Sequence, residues 1–208
     1  VSNESLSLCE KYRPLKIEHF VGLAEPKLVL QKIAAQLCGR ALLFEGKSGS
    51  GKTAMAYALA AAIPAEVHRL PANECTRDNV AKLWMTYQAK PKAGYRVHLI
   101  LVDQADTLNK AQQIDLRSKI DGSESLDHVI WVFAGTNTAK LDAGFRGRCT
   151  LLKFSTYGNS TAAARLLETV WRAEGPTFPP PNFARIVKDS NGSVRAALME
   201  VEKKLALS

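Results

Sequence analysis

Eight consecutive residues, Gly46-Lys47-Ser48-Gly49-Ser50-Gly51-Lys52-Thr53, combine three glycines, two lysines and three hydroxyl side chains. The spacing GxxxxGK[ST] suits a loop that wraps a polyphosphate. Glycines let successive backbone N–H groups turn toward one anion. A helix that starts near Lys52 and runs on through Ala54 would aim its positive end at the same point. Lys52 has the reach to meet the outer phosphates, and the Thr53 hydroxyl is a suitable Mg²⁺ ligand. A second acidic element lies downstream. Asp103 ends the apolar run Leu99-Ile100-Leu101-Val102. At the carboxyl edge of a parallel sheet, that carboxylate would help hold Mg²⁺ through water.

These groups need a rigid frame, and the hydrophobic pattern supplies one. Strands are expected at Ala41–Glu45, Glu66–Leu70, Val97–Val102, Val129–Ala134 and Leu151–Phe154. Helices are expected between them at Thr53–Ala62, Asp78–Gln88 and Lys110–Ile120. Continuous apolar strands alternating with helices imply a parallel sheet covered on both faces. After residue 155 the pattern changes. Thr161–Ala173, Phe183–Lys188 and Val194–Leu205 read as helices, broken by the Pro-rich Gly175–Asn182. The expectation is an α/β domain of five parallel strands over residues 1–155, with the chain dividing near Ser155–Asn159, and a small helical lid over 156–208.

Composition narrows the class. The 208 residues are 46% hydrophobic, enough for a packed core, and no apolar run is long enough to span a bilayer. The first residues are polar and of mixed charge, unlike a secretory leader. Cys9, Cys38, Cys75 and Cys149 are widely spaced, so reduced thiols in a cytoplasmic protein are expected. The four histidines are scattered and offer no ligand set. No nucleophilic Ser/His/Asp or Cys/His arrangement stands out. A net charge of +8 suits a polyanionic partner such as DNA. Trp84, Trp131 and Trp171 sit in apolar patterns and read as packing residues, not base-stacking platforms.

Several segments, in order, resemble the clamp-loader ATPases of the AAA+ class, such as replication factor C small subunits. Lys11-Tyr12-Arg13-Pro14, followed by Phe20-Val21-Gly22, looks like their N-terminal signature beside the adenine base. The resemblance thus assigns Tyr12, Arg13, Pro14 and Val21 to nucleotide binding. Asp103-Gln104-Ala105-Asp106 resembles the DEAD box. Ala111-Gln112 and Leu116-Arg117 match the helix after it. Thr136-Asn137 matches sensor 1, which implies that Asn137 positions the attacking water. Arg146-Gly147-Arg148-Cys149 resembles the Ser-Arg-Cys motif, whose arginine, here Arg148, serves the γ-phosphate of a neighbouring subunit. Gly192-Ser193-Val194-Arg195 resembles sensor 2, which places Arg195 over the phosphates. The resemblance implies ATP and Mg²⁺ as ligands. It implies other AAA+ subunits, DNA and a sliding clamp as partners, and no membrane. Lys110, Arg117 and Lys119, on the helix after the DEAD box, become the expected DNA-backbone contacts.

Three departures qualify this. Gln104 stands where the family carries Glu, so ATP binding is kept and hydrolysis slowed. Gly147 replaces a serine. The collar domain that joins such subunits into a ring has no counterpart in these 208 residues, so assembly would rest on Arg148 contacts or a separate partner. Two alternatives stay open: another AAA+ machine, such as a helicase loader or remodeller, and a hydrolysis-impaired ATP-binding scaffold.

Overall fold

The computed structural model describes residues 6–36, 39–121, 126–155 and 160–207. Cys38 and most of the expected boundary at 155–159 lie outside them.

The five expected strands form: β1 (Arg40–Glu45), β2 (Ala65–Pro71), β3 (Val97–Asp103), β4 (Val129–Gly135) and β5 (Thr150–Lys153). They pair in the order β2-β3-β4-β1-β5, every pair parallel. The most apolar strands take the centre. β4 is buried along its whole length, and Leu42–Phe44 of β1 and Leu99–Val102 of β3 are likewise inaccessible. A sheet with helices on both faces leaves its inner strands no wet side, so uninterrupted apolar runs are the stable solution.

The helices are α1 (Leu8–Lys11), α2 (Ala24–Ala35), α3 (Lys52–Ala62), α4 (Arg77–Tyr87), α5 (Lys110–Ile120), α6 (Ala143–Arg146), α7 (Ser160–Glu174), α8 (Phe183–Asp189) and α9 (Val194–Ala206). On one face of the sheet, Leu30 and Ile33 of α2 and Met55, Ala56 and Leu59 of α3 pack on Leu42, Phe44, Leu99 and Val132. On the other, Val80, Trp84 and Tyr87 of α4 and Leu116 of α5 meet Ile100, Val102, Trp131 and Phe133. Trp84 stacks over Trp131, and Trp131 over Phe133, so these two tryptophans are packing residues. Side-chain caps start the helices: Thr76 caps α4, Asn109 and Gln112 form a capping box on α5, and Ser193 caps α9.

A third apolar cluster joins α7, α8 and α9 through Leu167, Val170, Trp171, Val187 and Val201. The start of the chain belongs to it. Leu8 is buried there, its N–H donates to Glu202, and Lys11 pairs with Glu174 at 2.9 Å. No helix among the described residues is long and apolar enough to cross a membrane.

The topology gathers the loops that follow β1, β3 and β4 at the carboxyl edge of the sheet, with the N-terminus of α9 beside them. It also corrects one reading of the sequence. The histidines are not all scattered: the parallel register of β2 and β3 sets His98 beside Glu66, with His68 two residues along the same face. Strand pairing, which local pattern does not reveal, brought them together. The spacing Glu-x-His on one strand was the only local signal.

Candidate functional site

The loop between β1 and α3 carries Gly46 to Thr53. Gly49 and Gly51 adopt φ of 76° and 94°, a region costly for residues with a Cβ. At Gly49 a side chain would also run into α9, with Arg195 Cβ only 2.9 Å from the added atom. Lys52 opens α3 and folds back, donating from Nζ to Gly46 O at 2.7 Å and Lys47 O at 3.0 Å. Its pKa is lowered by burial, an effect that Asp103 and Asp106 oppose. Gly51 gives α3 no side-chain cap, so the first N–H groups of the helix have no cap acceptor. Ser50 Oγ is buried without a hydrogen-bond partner among the described residues. Orphaned donors, a helix N-terminus and a lysine in one loop are what an anionic ligand would satisfy.

The loop borders a cavity of about 1080 Å³. Ser48, Gly49, Ser50, Gly51, Lys52, Thr53 and Ala54 form one wall. Asp103, Gln104 and Asp106 form the sheet-edge wall, with Thr136 beyond them. Tyr12, Arg13, Pro14 and Val21 close a third side, and Arg195 comes from α9. The backbone N–H of Arg195 reaches Gly49 O at 3.5 Å, tying α9 to the loop. Thr53 and Asp103 supply the oxygen ligands that Mg²⁺ prefers, so the residues present fit that ion.

The acidic groups are differently engaged. Asp103 pairs with Arg69 at 3.2 Å and accepts from Gln104 N at 3.0 Å. For Asp106, burial raises the pKa, but two hydrogen bonds from Thr136 outweigh it and hold the carboxyl below its usual range. Gln104 is exposed to the cavity in the left-handed region, at φ 56°. Tyr12 donates to Glu174; burial and that bond push its pKa up to about 12. Arg13 lies over the Tyr57 ring at 5.1 Å.

The remaining sequence-derived residues lie elsewhere. Gly46 and Lys47 sit behind the wall: Gly46 N donates to Gly135 O, and Lys47 reaches Asn191 O at 3.5 Å. Asn137 does not line the cavity; its side chain accepts from Ala139 N and caps the turn after β4. Arg148 is outside the cavity altogether, exposed, paired with Asp121 and donating to Gly144 O at 2.7 Å. On α5, with about 100° of rotation per residue, Lys110 and Arg117 share a face while Lys119 points the opposite way. Arg117 lies 3.9 Å from Asp142, and Lys119 lies over the Trp84 ring at 5.5 Å.

Sequence reasoning missed Arg69, Asp106, Thr136 and Tyr57 as lining residues. Asp106 and Thr136 lay inside quoted motifs, and their pairing was the available signal. Arg69 carried none, because its role at Asp103 depends on the β2–β3 register.

Comparison with known proteins agrees with this geometry. The model of the ATPase family associated with various cellular activities (AAA) matches residues 42–157. The chain is 27% identical over 203 residues to the replication factor C large subunit of Pyrococcus horikoshii, covering 93% of this chain and 42% of that protein. It is 29% identical over 203 residues to replication factor C subunit 2 of Arabidopsis thaliana, covering 93% and 60% respectively. The chain thus spans about half the length of the curated relatives it matches. Among solved structures, the Thermotoga maritima RuvB Holliday junction branch migration motor superposes with a TM-score of 0.73 at 20% identity, over 92% of this chain and 64% of that one. At that identity the likeness is one of fold.

Proposed function

Since the chain belongs to the AAA family of ATPases, we propose that it binds ATP with Mg²⁺ in the cavity beside α3, hydrolyses it slowly, and acts in a clamp-loading assembly on DNA. One observation carries the reading. A single cavity is lined by the phosphate loop, the Asp103–Asp106 segment, Tyr12 to Pro14 and Arg195, which come from four distant parts of the chain.

The loop N–H groups, Lys52 and Arg195 bind and orient the phosphates. Thr53 and Asp103 hold Mg²⁺, which when bound neutralises charge on the phosphoryl group being transferred. Tyr12, Arg13, Pro14 and Val21 enclose the base. Gln104 faces the phosphate end but lacks the carboxylate that would take a proton from water. Asn137 orients that water after a small shift of its turn. Arg148, exposed and away from its own cavity, reaches the nucleotide of a neighbouring subunit, so hydrolysis is completed only on assembly. The boundary between an α/β domain (1–155) and a helical lid (156–208) is part of the same proposal. The third apolar cluster supports it and adds that α1 is carried by the lid.

The relatives named replication factor C support a replication role. For DNA, Lys110 and Arg117 present one basic face of α5. The Lys110→Glu/Arg117→Glu variant is expected to weaken DNA binding and to reduce the slope of log K against log salt by about two. Lys119→Glu is expected to matter less, because that side chain is turned toward Trp84. Fluorescence anisotropy at several salt concentrations measures both, and equal effects from all three positions would contradict the assignment.

Gln104 favours a second reading, an ATP-binding scaffold that hydrolyses nothing. Steady-state ATP hydrolysis with and without primer–template DNA separates the two. Stimulation by DNA is expected for the motor, and a flat, near-zero rate in both conditions, with the neighbouring subunits present, identifies the scaffold.

A further inference from the structure

We propose that Glu66, His68 and His98 form a binding site for a divalent first-row transition ion of the zinc class. The site lies on the β2–β3 edge of the sheet, toward the amino ends of the strands and apart from the nucleotide cavity. Glu66 and His98 are register partners, and His68 follows two residues along the same face.

The geometry is specific. His68 Nε2 and His98 Nδ1 are 2.9 Å apart. Glu66 Oε2 is 3.6 Å from His98 Nδ1 and 4.0 Å from His68 Nε2. The point in the plane of the three atoms that is equidistant from them lies about 2.1 Å from each, at zinc bond length, and tetrahedral coordination needs the two imidazole nitrogens to part only to about 3.3 Å. Two imidazoles and a carboxylate are a common zinc ligand set. His98 Nε2 meets Ala89 O at 3.0 Å, which fixes its proton there and leaves a lone pair on Nδ1. In this structure His68 Nε2–H donates to that lone pair, so an ion replaces this hydrogen bond and takes His68 as the Nδ1–H tautomer. Burial lowers the His68 pKa, which favours the neutral ring that can bind. The Tyr87 ring packs against both imidazoles, at 4.7 and 5.2 Å between centroids. Its hydroxyl is buried without a hydrogen-bond partner among the described residues.

The backbone N–H of Lys92 donates to Glu66 Oε2 at 3.3 Å and leaves that oxygen a second lone pair for an ion. Lys92 Nζ lies 3.0 Å from Glu66 Oε1, on a side chain that is 81% exposed. It competes with a cation for Glu66 but is free to swing away. A bound ion would clip the edge strand β2 to β3 and raise the stability of the fold.

Calorimetric titration of the chelator-treated, nucleotide-free chain with ZnCl₂ tests this, alongside thermal melting in ZnCl₂ and in EDTA. One ion per chain and a higher melting temperature in zinc are expected. His68→Asn, at a partly exposed position, is expected to weaken binding at least tenfold while melting normally in EDTA. Lys92→Met, on the surface, is expected to tighten binding severalfold. Absence of saturable binding by the native chain overturns the proposal. So does unchanged affinity in His68→Asn, which would place the ion on the thiols or at the Thr53–Asp103 site. Weaker or unchanged binding in Lys92→Met would overturn it even if His68→Asn failed to fold.

Discussion

Replacing Gln104 with glutamate is expected to raise the steady-state rate of ATP hydrolysis about hundredfold, the contribution of a well-placed general base. The local geometry supports a gain without a structural cost. Gln104 already faces the cavity, and its left-handed backbone is as demanding for glutamine as for glutamate. The two neighbouring carboxylates are poor substitutes. Asp103 is paired with Arg69, and Asp106 is held by Thr136 with a lowered pKa, which makes it a weak base. The nearly isosteric change from amide to carboxylate therefore supplies a group that the site lacks. The affinity for ATP is expected to fall only slightly, through repulsion between the new charge and the phosphates. A coupled-enzyme assay comparing the two proteins reads the effect. An unchanged rate would place Gln104 away from the attacking water, and the account of slow turnover would go with it.

Removal of the loop lysine is expected to act on the earlier step. Lys52→Ala should cost about 2.7 kcal/mol of ATP binding, roughly a hundredfold in Kd, as expected for a charge-assisted hydrogen bond in a partly dry site. Part of that cost is indirect. The ammonium bonds to Gly46 O and Lys47 O and so keeps the loop in shape before any ligand arrives. Lys52→Arg would be no substitute, because the larger planar guanidinium cannot fold back onto the same carbonyls. Titration with a fluorescent ATP analogue measures the loss, and thermal melting without nucleotide shows whether the fold survives. A Kd within threefold of the native value would mean that the loop is not the phosphate site.

The two variants probe what was most legible in the sequence. The phosphate loop could be read directly because its glycines and Lys52 have local jobs, set by the turn and the start of α3. The inner strands β1, β3 and β4 were equally visible, since inner strands of a covered sheet must be apolar along their whole length; the edge strand β2 gave a weaker signal. The α2 helix and the short α1 and α6 helices were not anticipated. Other features were legible only through topology. Arg69 meets Asp103, and His68 meets His98, because β2 lies beside β3 in register. Nothing in the local pattern says which strands are neighbours. Leu8 and Tyr12 join the C-terminal helices through contacts more than 160 residues apart in sequence, with Glu202 and Glu174. The family resemblance anticipated the nucleotide side of that arrangement, with Tyr12 and Arg195 on one cavity. It did not anticipate that Asn137 would stand behind Thr136 in this conformation.

The most direct measurement is a calorimetric titration of the native chain with ATP in excess Mg²⁺, repeated with Mg²⁺ removed. Saturation at one nucleotide per chain, weakened when Mg²⁺ is withdrawn, is the expected result. It would make the cavity beside α3 a nucleotide site in fact as well as in shape. No saturable heat in either condition, with the protein folded by circular dichroism, would contradict the account at its centre.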